Sequence, residues 1–266
     1  MVKVIRDKTL LYNCKVNNIY LSVVIPSFDE MANLRKGVLN KLKHYLDKME
    51  YSYEVIVVDD GSKDGSIGFV EKFASENKHF IIIKSEHMGK AGAVTKGVLA
   101  TKGKYVLFTD MDQATPIEEI SKLLPYFQKG YGVVIGSRNT QRKGSPLSRL
   151  IISRANIILR KVLVGLNDIT DTQCGFKMFS RSAALQVFNK INTAHDGYKT
   201  IVGSAVKAGF DVELLLYAKN LGFRIKEVPV SWLYVESRRV SPIRDSVEGV
   251  LELLSIRNNN KKGKYL

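Results

Sequence analysis

The sequence predicts an α/β fold built on an open, doubly wound, mostly parallel sheet, and three observations predict it. Short apolar runs rich in Val and Ile alternate with stretches of helical periodicity. Those runs carry no polar alternation, as expected of strands covered by helices on both faces. Acidic, turn-forming or small-residue loops follow the runs, at the edge where open α/β sheets hold their ligands.

Leu21-Ser22-Val23-Val24-Ile25 is a first strand, stopped by Pro26, and a helix is expected over residues 31–48. Glu54-Val55-Ile56-Val57-Val58 is a second strand ending on Asp59-Asp60-Gly61-Ser62, with a helix over residues 66–77. Phe80-Ile81-Ile82-Ile83 is a third. The small-residue loop His87-Met88-Gly89-Lys90-Ala91-Gly92-Ala93 then opens a helix to residue 101. Lys104-Tyr105-Val106-Leu107-Phe108 is a fourth strand, leading into Thr109-Asp110-Met111-Asp112-Gln113. Pro116 falls at a first helical position with Glu118 and Glu119 in the first turn. Val133-Val134-Ile135-Gly136-Ser137-Arg138 is a further strand ending in an arginine.

Asp110 and Asp112, two residues apart at a strand end, can share one target. Two neighbouring carboxylates repel unless a cation lies between them, and a hard divalent ion with oxygen ligands suits the pair. Taken alone the pair also suits a helix cap. The four loops at residues 26–30, 59–62, 89–92 and 110–113 converge, and together they fit a nucleotide diphosphate with a metal. Asp59 would accept hydrogen bonds from a base or ribose, and backbone N–H groups near Gly89 and Gly92 would approach phosphates. Each glycine by itself also reads as a plain turn.

The chain has 266 residues and a formal net charge of +15, with 45% hydrophobic content. That excludes a disordered chain and points to a polyanionic partner: nucleic acid, an anionic membrane surface or a phosphorylated substrate. No cluster of basic and aromatic residues forms a nucleic-acid reading motif, so no nucleic acid is expected. Cys14 and Cys174 are far apart, which excludes a disulfide framework and a cysteine zinc site and favours a reduced, cytoplasmic setting. The charged start is not a signal peptide, and no apolar run approaches the ~20 residues that span a bilayer.

Val24-Ile25-Pro26-Ser27-Phe28-Asp29-Glu30, Val57-Val58-Asp59-Asp60-Gly61-Ser62, Gly89-Lys90-Ala91-Gly92-Ala93 and Asp110-Met111-Asp112 resemble the family 2 glycosyltransferases. The resemblance covers residues 20–239. It implies a GT-A fold, an inverting mechanism, a nucleotide-sugar donor and Mg²⁺ or Mn²⁺ held by Asp110 and Asp112. It places Pro26, Ser27, Phe28, Glu30, Asp59, Asp60, Gly89, Lys90, Asp110, Met111, Asp112 and Gln113 around the donor. One departure is Asp29, where the family more often has asparagine.

Three later stretches, Asp171-Thr172-Gln173-Cys174-Gly175-Phe176-Lys177-Met178-Phe179, Gly209-Phe210-Asp211-Val212-Glu213-Leu214-Leu215 and Glu227-Val228-Pro229-Val230-Ser231-Trp232, look like the dolichyl-phosphate β-glucosyltransferases. Gly136-Ser137-Arg138, Ile152-Ser153-Arg154 and Glu236-Ser237-Arg238 also look like the dolichyl-phosphate mannosyltransferases. An ionised polyprenyl phosphate needs cations rather than a base, and Arg138, Arg149 and Arg238 are candidates because a guanidinium fork suits phosphate oxygens. Each arginine alone also suits a solvated surface. Arg138, Arg149, Ser153, Asp171, Gln173, Asp211 and Glu213 form the expected acceptor region. Asp211 and Glu213 suit either a base pair or, the favoured reading, the positioning of an acceptor-site arginine or a helix, and His195 is expected to be structural rather than catalytic.

A helix over residues 147–166 carries the stripe Leu147, Ile151, Ala155, Ile158, Val162 and Leu166. Another at residues 243–256 carries Ile243, Val247, Val250, Leu251 and Leu254 beside basic ends, a pattern that suits a membrane surface or core packing. The expected organisation is a glycosyltransferase domain over residues 1–240, then an amphipathic helix and basic tail over 241–266. The expected reaction moves glucose from UDP-glucose to a polyprenyl phosphate, with the protein bound peripherally at the cytoplasmic face of a membrane. The alternatives are GDP-mannose as donor, a soluble or polysaccharide acceptor, and a non-catalytic nucleotide-sugar-binding protein.

Overall fold

The computed structural model describes residues 19–138, 163–198, 209–233 and 242–265, and for residues 242–248 only the helical backbone. Among the described residues seven strands form one sheet: β1 (Leu21–Ser27), β2 (Tyr53–Asp59), β3 (Phe80–Lys84), β4 (Tyr105–Thr109), β5 (Val133–Ser137), β6 (Phe176–Ser180) and β7 (Ile225–Pro229). Their spatial order is β3-β2-β1-β4-β6-β5-β7. β3, β2, β1 and β4 run parallel, as do β5 and β7, while β6 runs antiparallel to both its neighbours. The chain moves outward from β1 to β3 and then returns to place β4 on the other side of β1. That reversal makes a switch point, and the crevice at the strand ends there holds the acidic loops.

The helices whose bounds lie within the described residues are α1 (Met31–Arg35), α2 (Val38–Leu46), α3 (Ser66–Glu76), α4 (Gly89–Leu99), α5 (Ile120–Gln128), α6 (Arg181–Ala194), α7 (Gly209–Asn220) and α8 (Pro242–Lys261). The expected helix over 31–48 is two helices. Gly37 between them takes φ +75°, a left-handed conformation that breaks the α-helical path and that glycine adopts without steric cost. Pro116 sits one residue earlier than expected. It is extended and precedes a short 3₁₀ turn, Ile117–Glu119, which leads into α5.

Alternate residues of the strands feed two cores. Val24, Ile56, Val58, Val106 and Phe108 face α4, α6 and α7, packing on Val94, Val98, Phe188, Leu214 and Leu215. Val23, Ile25, Val55, Val57 and Leu107 face the other layer, with Leu39, Leu42, Val70 and Leu123. Both faces are apolar, which explains the missing alternation in the strands. At ~25 cal/mol per Å² of apolar surface removed from water, this double burial is the main term holding the sheet.

The last helix joins the first core. Leu253, Ile256 and Tyr265 are buried in it, and α8 packs along α7. The stripe expected to pack differs from the one that does: Leu251 and Leu254 are 61% and 46% exposed. The helix is apolar on two sides, and sequence spacing alone does not say which side meets the core.

Candidate active site

Parallel register puts Ser27 beside Asp59 and Asp59 beside Lys84, so β1, β2 and β4 end along one edge. Asp59 is 2% exposed. Its Oδ2 accepts the N–H groups of Gly61 and Ser62, each at 3.2 Å, while its Oδ1 and the Ser27 hydroxyl are buried with no partner. A buried acceptor without a donor is costly, which makes Asp59 Oδ1 a candidate to accept a hydrogen bond from a bound group. Phe28 stacks on His87 at 4.1 Å, and His87 Nδ1 contacts the Asp60 carboxylate at 2.8 Å. Asp29 takes φ +54° and accepts the Lys63 N–H at 2.7 Å. Asparagine and aspartate both tolerate that left-handed backbone, so the departure at this position leaves the loop's shape intact.

Asp60 faces inward. Its carboxylate caps the start of α4, accepting the Met88 N–H at 2.7 Å and the Gly89 N–H at 2.9 Å. Burial raises its pKa, and these N–H groups and His87 oppose the rise. This corrects the expectation for the Gly89 amide, which is spent on Asp60 rather than offered to a phosphate. Glu30 turns to Asn33, whose side-chain amide it accepts at 2.6 Å, and Pro26 is half-buried at the end of β1.

Lys90 reaches across from α4 to Asp110, with Nζ 2.5 Å from Oδ1. Burial opposes its charge, yet the carboxylates of Asp110, Asp211 and Asp112 hold its pKa above the ordinary lysine value. Burial raises the pKa of Asp112, and Asp110 adds repulsion, while the Ala114 N–H, Lys90 and Lys36 pull it down. Asp112 Oδ1 accepts the Ala114 N–H at 3.0 Å. Gln113, at φ +49°, closes the loop by donating its side-chain amide to the Asp110 carbonyl at 2.8 Å. Met111 is 2% exposed and packs in the core, so its side chain serves the fold. Gly175 lies against Asp110: a Cβ there would stand 1.9 Å from Oδ2.

Among the described residues no group of three or more His, Cys, Asp or Glu forms a complete metal cage. Asp110 and Asp112 nevertheless fit a divalent ion. They are two mutually repelling carboxylates that already attract one cation, and Mg²⁺ commonly takes one or two carboxylates and leaves its other positions to phosphates and water.

Arg138 and Asp171, expected as separate members of the acceptor region, form one unit. Asp171 Oδ2 accepts from Arg138 Nε at 2.7 Å and from its backbone N–H at 2.9 Å, and Oδ1 accepts from Nη2 at 2.8 Å. Burial alone would raise the Asp171 pKa, but the Arg138 hydrogen bonds and charge bring it down to about 2. Glu227 supports the unit, accepting the Asp171 N–H at 2.8 Å and the Thr170 N–H at 2.9 Å. Trp232 lies over the guanidinium at 5.9 Å. Leu233, tied by its N–H to the Ala114 carbonyl at 2.7 Å, is 60% exposed beside the acidic loop. Gln173 is exposed on the loop before β6.

Lys177 is fully buried. It donates to the Cys174 carbonyl at 2.7 Å, pairs with Asp211 at 2.5 Å and lies 5.3 Å from the Phe108 ring. Glu213 is also engaged, by His195 Nε2 at 2.9 Å and by the Tyr265 hydroxyl at 2.6 Å. His195 is thus a partner of Glu213 and of the stacked Tyr198 ring. Arg149, Ser153 and Arg238, and most of the expected 147–166 helix, lie outside the described residues.

The glycosyl transferase family 2 model matches residues 22–188, well over half the chain, and spans every strand that carries the acidic loops. The chain belongs to that family. It is a glycosyltransferase with a GT-A fold. Its relatives include the dolichyl-phosphate β-glucosyltransferase of Dictyostelium discoideum, 31% identical over 91% of this chain and 75% of that one. The mouse dolichyl-phosphate β-glucosyltransferase is 32% identical over 89% and 74%. Among solved structures, mannosyl-3-phosphoglycerate synthase from Rubrobacter xylanophilus superposes with a TM-score of 0.61 at 15% identity, covering 92% of this chain and 75% of its own. A Pyrobaculum calidifontis mannosyltransferase in complex with GDP-mannose and Mn²⁺ gives 0.52 at 16% identity, covering 100% and 76%.

Gly175 and Lys177 lie within the stretch at residues 171–179 and His87 within the small-residue loop, but sequence pattern assigns no role to any of the three. The signal for Lys177 was a cation inside an otherwise apolar strand, Phe176–Phe179. Such a residue needs a partner carboxylate.

Proposed function

We propose that this transferase moves glucose from UDP-glucose to a polyprenyl phosphate, with inversion, at the cytoplasmic face of a membrane. The observation that carries the acceptor is the state of the two carboxylates on α7. Asp211 is paired with Lys177, and Glu213 with His195 and Tyr265. A hydroxyl acceptor needs a base to take its proton. A phosphate acceptor arrives ionised and needs none.

The donor side rests on Asp59, whose unpartnered oxygen suits the N–H edge of uracil, and on the Phe28–His87 stack beside it. Asp110 and Asp112 would hold Mg²⁺ or Mn²⁺. Such an ion neutralises the charge that gathers on the leaving nucleotide diphosphate. Lys90 holds Asp110 in place and adds a fixed positive charge there. Gly175 leaves room for the Asp110 carboxylate. Arg138, set by Asp171, offers the planar cation that suits a phosphate, with Arg149, Ser153 and Arg238 as further candidates. Leu233 and Trp232 give apolar surface next to the acidic loop for the first isoprene units.

The names of the relatives support the lipid phosphate and the glucose. No helix among the described residues is long and apolar enough to cross a membrane, and the described cysteine, Cys174, is a buried free thiol. The test is a donor panel. The protein is incubated with labelled UDP-glucose, UDP-N-acetylglucosamine or GDP-mannose, Mg²⁺ and polyprenyl phosphate, and the lipid is extracted. Label from UDP-glucose that disappears with EDTA supports the reading. Label only from GDP-mannose overturns the donor.

A further inference from the structure

We infer that α8 docks this protein on an anionic bilayer through the face that carries Leu251 and Leu254. The bilayer as occupant rests on the lipid-acceptor reading; the exposed face does not. α8 is apolar on two sides. Leu253 and Ile256 are 6% and 3% exposed and sit in the core, while Leu251 and Leu254, one turn apart, are 61% and 46% exposed. Among the described residues the exposed large hydrophobics are these two with Phe69 and Leu233, so α8 alone presents a pair on one element.

The charges beside the leucines select the partner. Arg257, Lys261, Lys262 and Lys264 are exposed toward the end of the helix and just past it. From Val250 to Tyr265 the one carboxylate is Glu252, and it is turned inward to accept the Gly209 N–H at 2.7 Å. Lys261 and Lys262 lie within about a quarter-turn of the two leucines on the helix surface. A face with apolar residues at one end and cations at the other matches the boundary of an anionic membrane, where leucines enter the acyl region and lysines meet the headgroups. A second copy of the chain fits less well, because two leucines on one helix offer far less than the ~800 Å² per partner that a stable interface buries.

The helix is also fixed to the site. Glu252, next to Leu251, holds Gly209, the first residue of α7, and two residues later Asp211 pairs with Lys177. At the far end Tyr265 is buried and donates to Glu213 on α7, and Asn220 bonds Asn260. The docking face is therefore anchored at both ends to the helix that carries the two engaged carboxylates.

The test compares wild type with Leu251→Ser/Leu254→Ser and Lys261→Ala/Lys262→Ala, using phosphatidylcholine vesicles with and without phosphatidylserine. Both pairs are exposed, so thermal unfolding should not move. The serine pair is expected to weaken partitioning about tenfold or more, and the alanine pair to remove most of the preference for phosphatidylserine. Unchanged partitioning of the serine pair overturns the proposal. A wild-type dimer that the serine pair dissociates, with vesicle binding unaltered, overturns it in favour of a contact between copies. Transfer to a short, detergent-dissolved lipid phosphate reads the enzyme separately. If none of the three proteins transfers sugar while partitioning still depends on the leucines, docking stands and the proposed reaction fails.

Discussion

Asp112 is held between opposing effects. Burial and Asp110 push its pKa up; the Ala114 N–H, Lys90 and Lys36 pull it down. Such a carboxylate gains from a divalent cation more than it gains from water. Asp112→Ala removes one side of that site and little packing, so the fold should persist. Turnover should fall about a hundredfold or more, the scale seen when one preorganised charge-stabilising group is lost. Thermal unfolding and steady-state rates check this, and full activity in EDTA would remove the metal from the account. Asp59 makes the matching case for the donor. Its unpartnered oxygen is buried, and a hydrogen bond to a charged group contributes ~1.5–3 kcal/mol, so Asp59→Ala should weaken UDP about tenfold or more. Calorimetry with UDP alone reads this without turnover. Both aspartates were legible in the sequence, because acidic residues at the ends of apolar runs have few structural reasons to be there. The inward turn of Asp60 and the packing of Met111 were not, because the spacing of residues does not show which way a side chain in a loop points.

The elements behind the site are joined by buried ion pairs. Asp171, between β5 and β6, is 3% exposed and has its pKa depressed to about 2 by Arg138. A depressed carboxylate stabilises the fold above its unfolded pKa, and that stability is lost as pH falls through the folded value. The window here runs from about 4 down to about 2, and the shift corresponds to ~2 kcal/mol. Asp171→Asn should lose this stability at neutral pH and show a flatter acid limb in denaturant titrations between those values. Lys177 and Asp211 join β6 to α7. Removing one member of a buried pair costs ~3–5 kcal/mol, so Lys177→Met should be strongly destabilised. Lys177→Met/Asp211→Leu should recover much of the loss, since no unpaired charge remains. Chemical denaturation of the three proteins measures the coupling. These pairs bridge 33 and 34 residues of sequence. Local pattern carries no information at that range, which is why Arg138 and Asp171 were read as separate residues. β1 to β5 were legible because their apolar runs are short and bounded by turn signals. The antiparallel entry of β6 was not, because strand periodicity is the same in either direction.

At the scale of the molecule, the proposed donor half and acceptor half meet at one sheet edge around the acidic loop after β4. The donor half is largely readable from sequence, since its residues sit in consecutive strand–loop–helix units. The proposed acceptor half depends on β6, β7 and α7 coming together, and its further candidates Arg149, Ser153 and Arg238 lie outside the described residues. α8 shows the same limit in another form: two apolar sides, of which packing chooses one. The central claim is that the acceptor is a lipid phosphate that needs no protein base, since Asp211 and Glu213 are both engaged. The most direct measurement offers labelled UDP-glucose and Mg²⁺ with polyprenyl phosphate, the matching polyprenol, or soluble saccharides, each in detergent. Label on the phosphate alone, at a rate nearly constant across neutral pH, is the predicted result. Label on the polyprenol or on a saccharide would contradict it.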